Sequence, residues 1–180
     1  MEWIRQLDET VIFFIREQLT FPILDAIMRF FTILGDGGIL WIGVGLGLLL
    51  FPKTRRMGLT LLLALFATHL LGSVLLKNLI GRPRPFFDFP EVSLLIPPPS
   101  AFSFPSGHSS SSFAAAGVLL FAAGKRVGIP ALIVAALVAF SRVYLFVHYP
   151  TDILAGALLG LLVGWTAVRV MERTRLFSGK

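Results

Sequence analysis

Long apolar runs alternate with short polar, glycine or proline breaks along this chain. A membrane-spanning helix needs roughly 20 predominantly apolar residues, and Pro, Gly or charge marks where such a helix ends. The pattern therefore predicts an all-α integral membrane protein, a single domain over residues 1–180 with six transmembrane helices. The six apolar segments are 21–34, 38–51, 57–76, 109–123, 129–147 and 151–170.

The N-terminal residues 1–19 differ from these segments because charged and apolar side chains alternate at helical spacing. This pattern predicts an amphipathic entry helix that lies on the membrane surface. Segment 21–34 has too few residues to span a core of about 30 Å alone, so we expect it to borrow residues from the preceding helix. It also carries Asp25 and Arg29 one turn apart, which we expect to pair.

Composition supports a membrane protein and excludes several other classes. The chain has 180 residues, of which 56% are hydrophobic and only 14% charged, and its mean hydropathy is +0.83. These values exclude an ordinary soluble domain. Without cysteine there is neither a disulfide nor a thiolate metal site. The net charge of +6 comes from short clusters between apolar runs, which argues against nucleic acid as a partner.

Basic residues set the predicted orientation. They cluster at 53–56, at 125–126 and near the C-terminus, and six crossings would put all three clusters on one face. The positive-inside rule makes that face cytoplasmic, together with both termini. The long connection 77–108, which contains seven prolines, then lies on the outer face. Long connections tend to be functional, so we assign the active-site region to it.

Three polar motifs share that predicted outer face. The first and second lie at the two ends of the long connection, and the third lies between the last two apolar segments. Because they converge on one membrane face, we interpret them as one phosphate site. The motifs are Lys77 to Pro85, Phe104 to His108 with four serines after it, and Ser141-Arg142 with His148 and Asp152.

Cations and a helix start supply the predicted phosphate contacts. Lys77, Arg84 and Arg142 can hold phosphate oxygens, since a guanidinium binds them bidentately and an ammonium adds a point charge. Arg82 is a further candidate because it lies near them in sequence. At the start of the fourth segment, unpaired backbone N–H groups face an anion, which assigns Ser106 and Gly107 to the same site.

Two histidines and one carboxylate supply the predicted chemistry. Asp152 follows His148 by four residues across a helix start, so its carboxylate can fix one ring nitrogen and free the other for attack on phosphorus. His108 then serves as general acid and base. The only nearby carboxylates besides Asp152 are Asp88 and Glu91, too few for a two-metal site. We therefore expect no metal and no cofactor.

These residues resemble a known signature. Six residues separate Lys77 from Arg84-Pro85, and Pro105-Ser106-Gly107-His108 follows. Five residues separate Ser141-Arg142 from His148, and three more separate His148 from Asp152. This is similar to the three-part signature of the type 2 phosphatidate phosphatase superfamily, with Arg82 outside it. The resemblance implies a six-helix fold related to the helical core of vanadium haloperoxidases, metal-independent removal of phosphate from lipid phosphates, and the same residue roles.

Substrate and assembly stay open at this stage. The chain is similar to bacterial members that act on undecaprenyl pyrophosphate, phosphatidylglycerol phosphate or phosphatidate, which the signature does not separate. Membrane lipids are the other expected partner. The alternatives are a non-catalytic lipid-phosphate-binding protein and a small transporter that uses Asp25, Arg29 and His69. Glycines four residues apart at Gly156, Gly160 and Gly164 predict close helix packing, either inside the fold or in a homo-oligomer.

Overall fold

The structure is a computed structural model that describes residues 2–174, and over this range it is helical with no strand. Pro, Gly and charged residues separate the helices, as the apolar pattern predicts. The helices are α1 (Glu2–Gln18), α2 (Pro22–Gly35), α3 (Ile39–Leu49), α4 (Arg55–Thr68), α5 (Lys77–Ile80), α6 (Pro85–Asp88), α7 (Gly107–Ala123), α8 (Lys125–Tyr144) and α9 (Pro150–Arg173). A 3₁₀ turn joins α2 to α3, and a π-helical segment joins α4 to α5.

Four helical segments in the described chain are long and apolar enough to cross a membrane. They are Pro22–Leu49, Arg55–Asp88, Lys125–Tyr144 and Pro150–Arg173. Helix α7 lies between the second and third of these segments in the chain. It has 17 residues and packs against α8 and α9. The prediction of six crossings is therefore not confirmed.

The difference from the predicted number lies in the first half of the chain. Residues 21–34 and 38–51 were expected to cross separately, whereas Pro22–Leu49 forms one kinked 28-residue candidate span, so two separate crossings are not confirmed. Gly37 and Gly38 have φ angles of 58° and 72°, non-helical values that put a kink between α2 and α3 at the 3₁₀ turn. Neither half is long enough to span a membrane alone, whereas together they are.

The two ends of the bundle are identified by their contacts. At one end Asp8 of α1 contacts Thr151 at the start of α9. At the other end the side chain of Arg56 donates to the carbonyl of Thr174, just beyond α9. Since α9 has 24 residues, these ends are roughly 36 Å apart. Helix α1 and the C-terminal end of α9 thus lie at opposite ends of the bundle, and the prediction that both termini share one side is not confirmed.

Helix α1 is amphipathic, and the side that it turns to the bundle differs from its large apolar face. Trp3, Leu7 and Phe14 are exposed, while Ile12 and the carboxylate-bearing Asp8 are completely buried. The helix packs against α8 and α9. One side of α1 therefore packs on the bundle while its large apolar residues point outward, and its place on the membrane surface stays a prediction.

The segment 21–34 also differs from expectation in its charged pair. Asp25 accepts a hydrogen bond from the hydroxyl of Tyr144 at 2.6 Å. The carboxylate is thus bound to α8, while Arg29 is exposed. The predicted Asp25 to Arg29 ion pair is not present among the described residues.

The glycines of α9 let two helices approach closely. A Cβ atom at Gly156, Gly160 or Gly164 would lie 2.7, 2.3 or 2.6 Å from a backbone carbonyl oxygen of α7 or the residue before it. This stripe is covered within the chain. Of the two predicted uses, packing inside the fold is the observed one, and the stripe does not face a second copy.

We expect Gly160→Ala to destabilise the protein and Gly43→Ala to leave it unchanged or slightly stabilised. At Gly160 the new methyl group meets the Ser110 carbonyl oxygen, and overpacking of this kind costs about 1–3 kcal/mol. At Gly43 nothing lies within 4 Å of the new atom, and Ala favours a helix by about 1 kcal/mol over Gly. Thermal unfolding in detergent compares the two variants. A midpoint for Gly160→Ala at or above that of the parent protein would show that the α7–α9 contact is looser than described.

Candidate active site

His148 lies in the connection between α8 and α9 at the end of the bundle where α1 meets α9. Its backbone N–H donates to the carbonyl of Arg142 at 3.2 Å, which anchors the connection to the last turn of α8. The side chain is 2% exposed. Burial lowers the pKa of His148 to about 3; the carboxylate of Asp152 opposes this shift and the nearby Arg84 adds to it. The imidazole is therefore neutral at ordinary pH.

Asp152 is fully buried in the first turn of α9, with its carboxylate turned back towards His148. Oδ2 lies 3.5 Å from His148 Nδ1 and accepts the backbone N–H of Tyr149 at 2.8 Å. The hydroxyl of Ser103 donates to the same oxygen, and it also lies 3.4 Å from His148 Nδ1. Oδ1 accepts from Arg82 Nη1 at 2.9 Å. Both oxygens are held, so the carboxylate has one orientation.

Arg84 occupies the opposite side of the His148 ring. Its Nη1 atom lies 3.1 Å from His148 Nε2 and donates to the carbonyl of Val147 at 2.8 Å. Its Nε atom donates to the carbonyl of Ala101 at 2.8 Å. These backbone bonds fix a buried guanidinium beside the ring nitrogen that does not face Asp152. A phosphoryl group that reached Nε2 would thus meet a cation there.

Lys77 and Arg142 are the other two buried cations of the predicted phosphate set. The ammonium of Lys77 donates to the carbonyl of Phe102 at 2.8 Å, which ties α5 to the long connection. Arg142 Nη1 donates to the hydroxyl of Thr32 on α2. Among the described residues, the Nε of Arg142 is buried with no hydrogen-bond partner. A buried unpaired donor is costly, and an anion would satisfy it.

Ser106 and Gly107 lie where α7 begins. Ser106 is the N-cap, and its hydroxyl accepts the backbone N–H of Ser109 at 3.4 Å. The backbone N–H of Ser106 donates to the carbonyl of Asp152 at 3.1 Å. The second motif is therefore bonded directly to the third.

His108 belongs to the first turn of α7 and has a carboxylate partner that the sequence did not indicate. Its Nε2 atom lies 2.9 Å from Oδ1 of Asp36, in the 3₁₀ turn after α2. The ring also packs closely on Gly35, where a Cβ atom would lie 2.7 Å from His108 Cδ2. Gly35 thus leaves the space that the His108 ring occupies.

Arg82 has contacts that differ from its predicted role. Its two terminal nitrogens bind Asp152 and Asp8, and its guanidinium lies 4.1 Å from the ring centre of Tyr149. The hydroxyl of Thr151 accepts a further bond at 2.8 Å. These groups hold the guanidinium at the start of α9. The structure therefore links Arg82 to Asp152, and phosphate contact by Arg82 stays a prediction.

Four residues at the site were missed in the sequence: Asp8, Thr32, Asp36 and Ser103. Each comes from an element outside the three motifs or from an unmarked position of the long connection. Asp36 stands in a glycine-rich turn, which is a weak signal, and Asp8 looked like one of several charges on an amphipathic helix. Among residues 2–174, no three His, Asp or Glu side chains are grouped so that they could hold a metal ion.

Comparison with known proteins identifies the family. A model described as the PAP2 superfamily matches residues 57–176, about two thirds of the chain, and the chain belongs to that superfamily. It is similar to an undecaprenyl-diphosphatase of Sulfolobus acidocaldarius, with 38% identity over 72% of this chain and 63% of the relative. It is also similar to phosphatidylglycerophosphatase B of Bacillus subtilis, with 36% identity over 88% of this chain and 81% of the relative.

A solved structure agrees with this assignment. The crystal structure of a transmembrane PAP2 type phosphatidylglycerolphosphate phosphatase from Bacillus subtilis has a TM-score of 0.79 and 34% sequence identity. The match covers 98% of this chain and 90% of that one. The chain spans less than two thirds of the length of the Sulfolobus relative.

Proposed function

We propose that this protein is a lipid phosphate phosphatase that works through a phosphohistidine. The observation that carries the proposal is the pair of contacts on the buried ring of His148. Nδ1 faces the Asp152 carboxylate at 3.5 Å, and Nε2 faces the Arg84 guanidinium at 3.1 Å. A neutral imidazole with its proton on Nδ1 has a lone pair on Nε2 that can attack phosphorus, and the Arg84 guanidinium, which faces that lone pair in this structure, can bind a phosphate.

The reaction has two steps. In the first, His148 Nε2 forms a bond to phosphorus, the bond from phosphorus to the lipid oxygen breaks, and His108 gives that oxygen a proton. In the second, His108 takes a proton from water, the water oxygen bonds to phosphorus, and the phosphorus–nitrogen bond breaks to release inorganic phosphate. Both steps return His148 and His108 to their starting states.

The remaining residues stabilise charge in these steps. Lys77, Arg84 and Arg142 bind the phosphoryl oxygens, where negative charge lies, and the backbone at Ser106 and Gly107 adds the positive end of α7. The unpaired Nε of Arg142 is a donor ready for such an oxygen. Asp36 stabilises the imidazolium form that His108 adopts as general acid. The protein side chains account for each step.

A cavity beside His108 supports a lipid substrate. Its volume is about 570 Å³, and it extends from His108 to apolar side chains of α3 and α4 that include Ile42, Leu62, Leu65 and Phe66. The end of the cavity at His108 is therefore polar, and apolar side chains predominate along α3 and α4, where Thr68 and His69 also line it. This suits a lipid whose phosphate lies at the site and whose chain leaves sideways between helices.

The proposed substrates are undecaprenyl pyrophosphate, phosphatidylglycerol phosphate and phosphatidate, with undecaprenyl pyrophosphate the most prominent. The names of the two curated relatives support the first two. The relation to the vanadium haloperoxidase core stays a prediction from the signature. The binding-only alternative gives no reason for the contacts on His148. The transport alternative loses support because Asp25 binds Tyr144 and both Arg29 and His69 are exposed.

We also propose that the site lies on the extracytoplasmic side, together with α1. Lys53 and Arg56 share a pocket with Glu172 near the end of α9, far from His148. Basic clusters favour the cytoplasmic face. This arrangement puts the C-terminal end of α9 in the cytoplasm and helix α1 outside, which revises the prediction from six crossings.

We expect His148→Ala to reduce phosphate release by at least 10³-fold, since removal of a nucleophile leaves only positioning and charge stabilisation. The measurement is inorganic phosphate release from the three proposed lipids in detergent with a chelator present. Glu9→Gln, on the exposed side of α1, is the control and should match the parent protein. Equal release by His148→Ala and the parent protein would remove His148 as the nucleophile. If the folded parent protein released phosphate from none of the three lipids, the proposed phosphatase activity would be contradicted.

Because the sequence has no cysteine, single introduced cysteines can report the orientation of the protein in the membrane. We expect a membrane-impermeant maleimide applied to intact cells to label Glu9→Cys and not Lys53→Cys, because the two positions lie at opposite ends of the bundle. Labelling of both after the membrane is opened is the control. The reverse pattern would place the site on the cytoplasmic side.

A further inference from the structure

A completely buried carboxylate on α1, Asp8, contacts Thr151 at the start of α9 and has no part in the two-step reaction. Asp8 has no solvent exposure, although it belongs to a helix whose neighbouring positions Leu7 and Glu9 are at least partly accessible. Burying a carboxylate is costly unless it is paired and hydrogen-bonded. The site must therefore supply partners that make its burial favourable.

The partners of Asp8 are parts of the site itself. Oδ2 binds Arg82 Nη2 at 2.7 Å and accepts the hydroxyl of Thr151 at 2.5 Å, and Oδ1 accepts the backbone N–H of Thr151 at 2.9 Å. That N–H is one of the unpaired donors at the start of α9. Asp8 thus caps α9 from a different helix, one residue before Asp152.

Arg82 extends this arrangement to the catalytic pair. The same guanidinium that binds Asp8 through Nη2 binds Asp152 Oδ1 through Nη1 at 2.9 Å. A planar guanidinium with both terminal nitrogens occupied has little freedom to rotate. The ring of Tyr149 beneath it, 4.1 Å from Cζ, limits movement in the third direction. Asp152 is thereby held from two sides, through Arg82 and through the first turn of α9.

We infer that Asp8 is a positioning residue for the nucleophile: it fixes Arg82 and the start of α9, and through them keeps the Asp152 carboxylate aligned with His148 Nδ1. This inference rests on the proposed function, since it assigns Asp8 to the same reaction. Without Asp8, Arg82 Nη2 and the Thr151 N–H lose their partner. Arg82 is then free to turn towards Asp152 alone, which displaces the carboxylate that orients the imidazole.

The test compares Asp8→Asn with Glu9→Gln, which removes the same charge one position along α1 and breaks only the surface pair of Glu9 with Arg5. We expect Asp8→Asn to lower kcat by 10- to 100-fold with KM within threefold of the parent value, because a small misplacement of a catalytic group costs about 10²-fold. Glu9→Gln should retain kcat within twofold. A kcat of Asp8→Asn equal to that of Glu9→Gln would overturn the inference.

A double variant separates positioning from a general structural role. If Asp8 acts through Arg82, Asp8→Asn combined with Arg82→Gln should be no slower than Arg82→Gln alone within threefold. Fully multiplicative losses of kcat in the folded double variant would show that Asp8 does not act through Arg82, and would overturn the inference as stated.

A spectroscopic measurement keeps the inference testable whether or not the proposed function holds. In protein labelled with ¹⁵N-histidine, the ring signals of His148 can be assigned by their loss in His148→Gln. We expect Asp8→Asn to shift these signals, and Glu9→Gln to leave them in place. If Asp8→Asn does not fold, Asp8→Glu, which keeps the charge and moves it by one methylene, should shift them instead. Unshifted His148 signals in the folded Asp8 variant would overturn the inference even where the parent protein releases no phosphate.

Discussion

The buried carboxylate of Asp152 is the group on which the arrangement of the site depends. A charge removed from water is tolerated only where its lone pairs find donors, and here they find the hydroxyl of Ser103, the backbone of Tyr149 and the guanidinium of Arg82. Arg82 and Ser103 lie 21 residues apart in the long connection 77–108, and Tyr149 immediately precedes α9. Satisfying one carboxylate therefore brings three distant parts of the chain together, and the same carboxylate faces His148.

Close helix packing gives this carboxylate its rigid surroundings. The glycines of α9 allow its backbone to contact that of α7, and Ser106 at the start of α7 binds the carbonyl of Asp152. A similar principle applies at His108, whose ring fits over Gly35. In both places a glycine leaves room for close packing, and that packing fixes the position of a functional side chain. Positions without a Cβ atom are thus as important for the geometry as the polar residues.

Much of the site could be predicted from the sequence because its polar residues interrupt apolar helices, where each has a high cost. Lys77, Arg84, Arg142, His148 and Asp152 stand out for this reason, and the structure places them at one end of the bundle. Arg82 was a candidate phosphate ligand because it lies near the other cations in sequence. Proximity in sequence does not tell which carboxylate a guanidinium will bind. Asp8 and Asp36 were missed, since charges on an amphipathic helix or in a glycine turn usually face water.

The fold was predicted in class but not in detail. Helix content and most helix positions follow from hydrophobic patterning. The pattern could not show that two short apolar segments follow one another through a kink at Gly37 and Gly38, because glycines also suit turns that reverse the chain. In the structure α1 lies at the end of the bundle that holds the site, where Asp8 binds Arg82.

The central claim is that His148 carries the phosphoryl group during the reaction. The most direct measurement is rapid mixing of the protein with a ³²P-labelled lipid phosphate in the presence of a chelator, followed by alkaline quenching and mapping of the labelled peptide. We expect a label that is stable in base, lost in acid and located on His148, and that appears before inorganic phosphate. Phosphate release without any label on the protein, or a label on another residue, would contradict it.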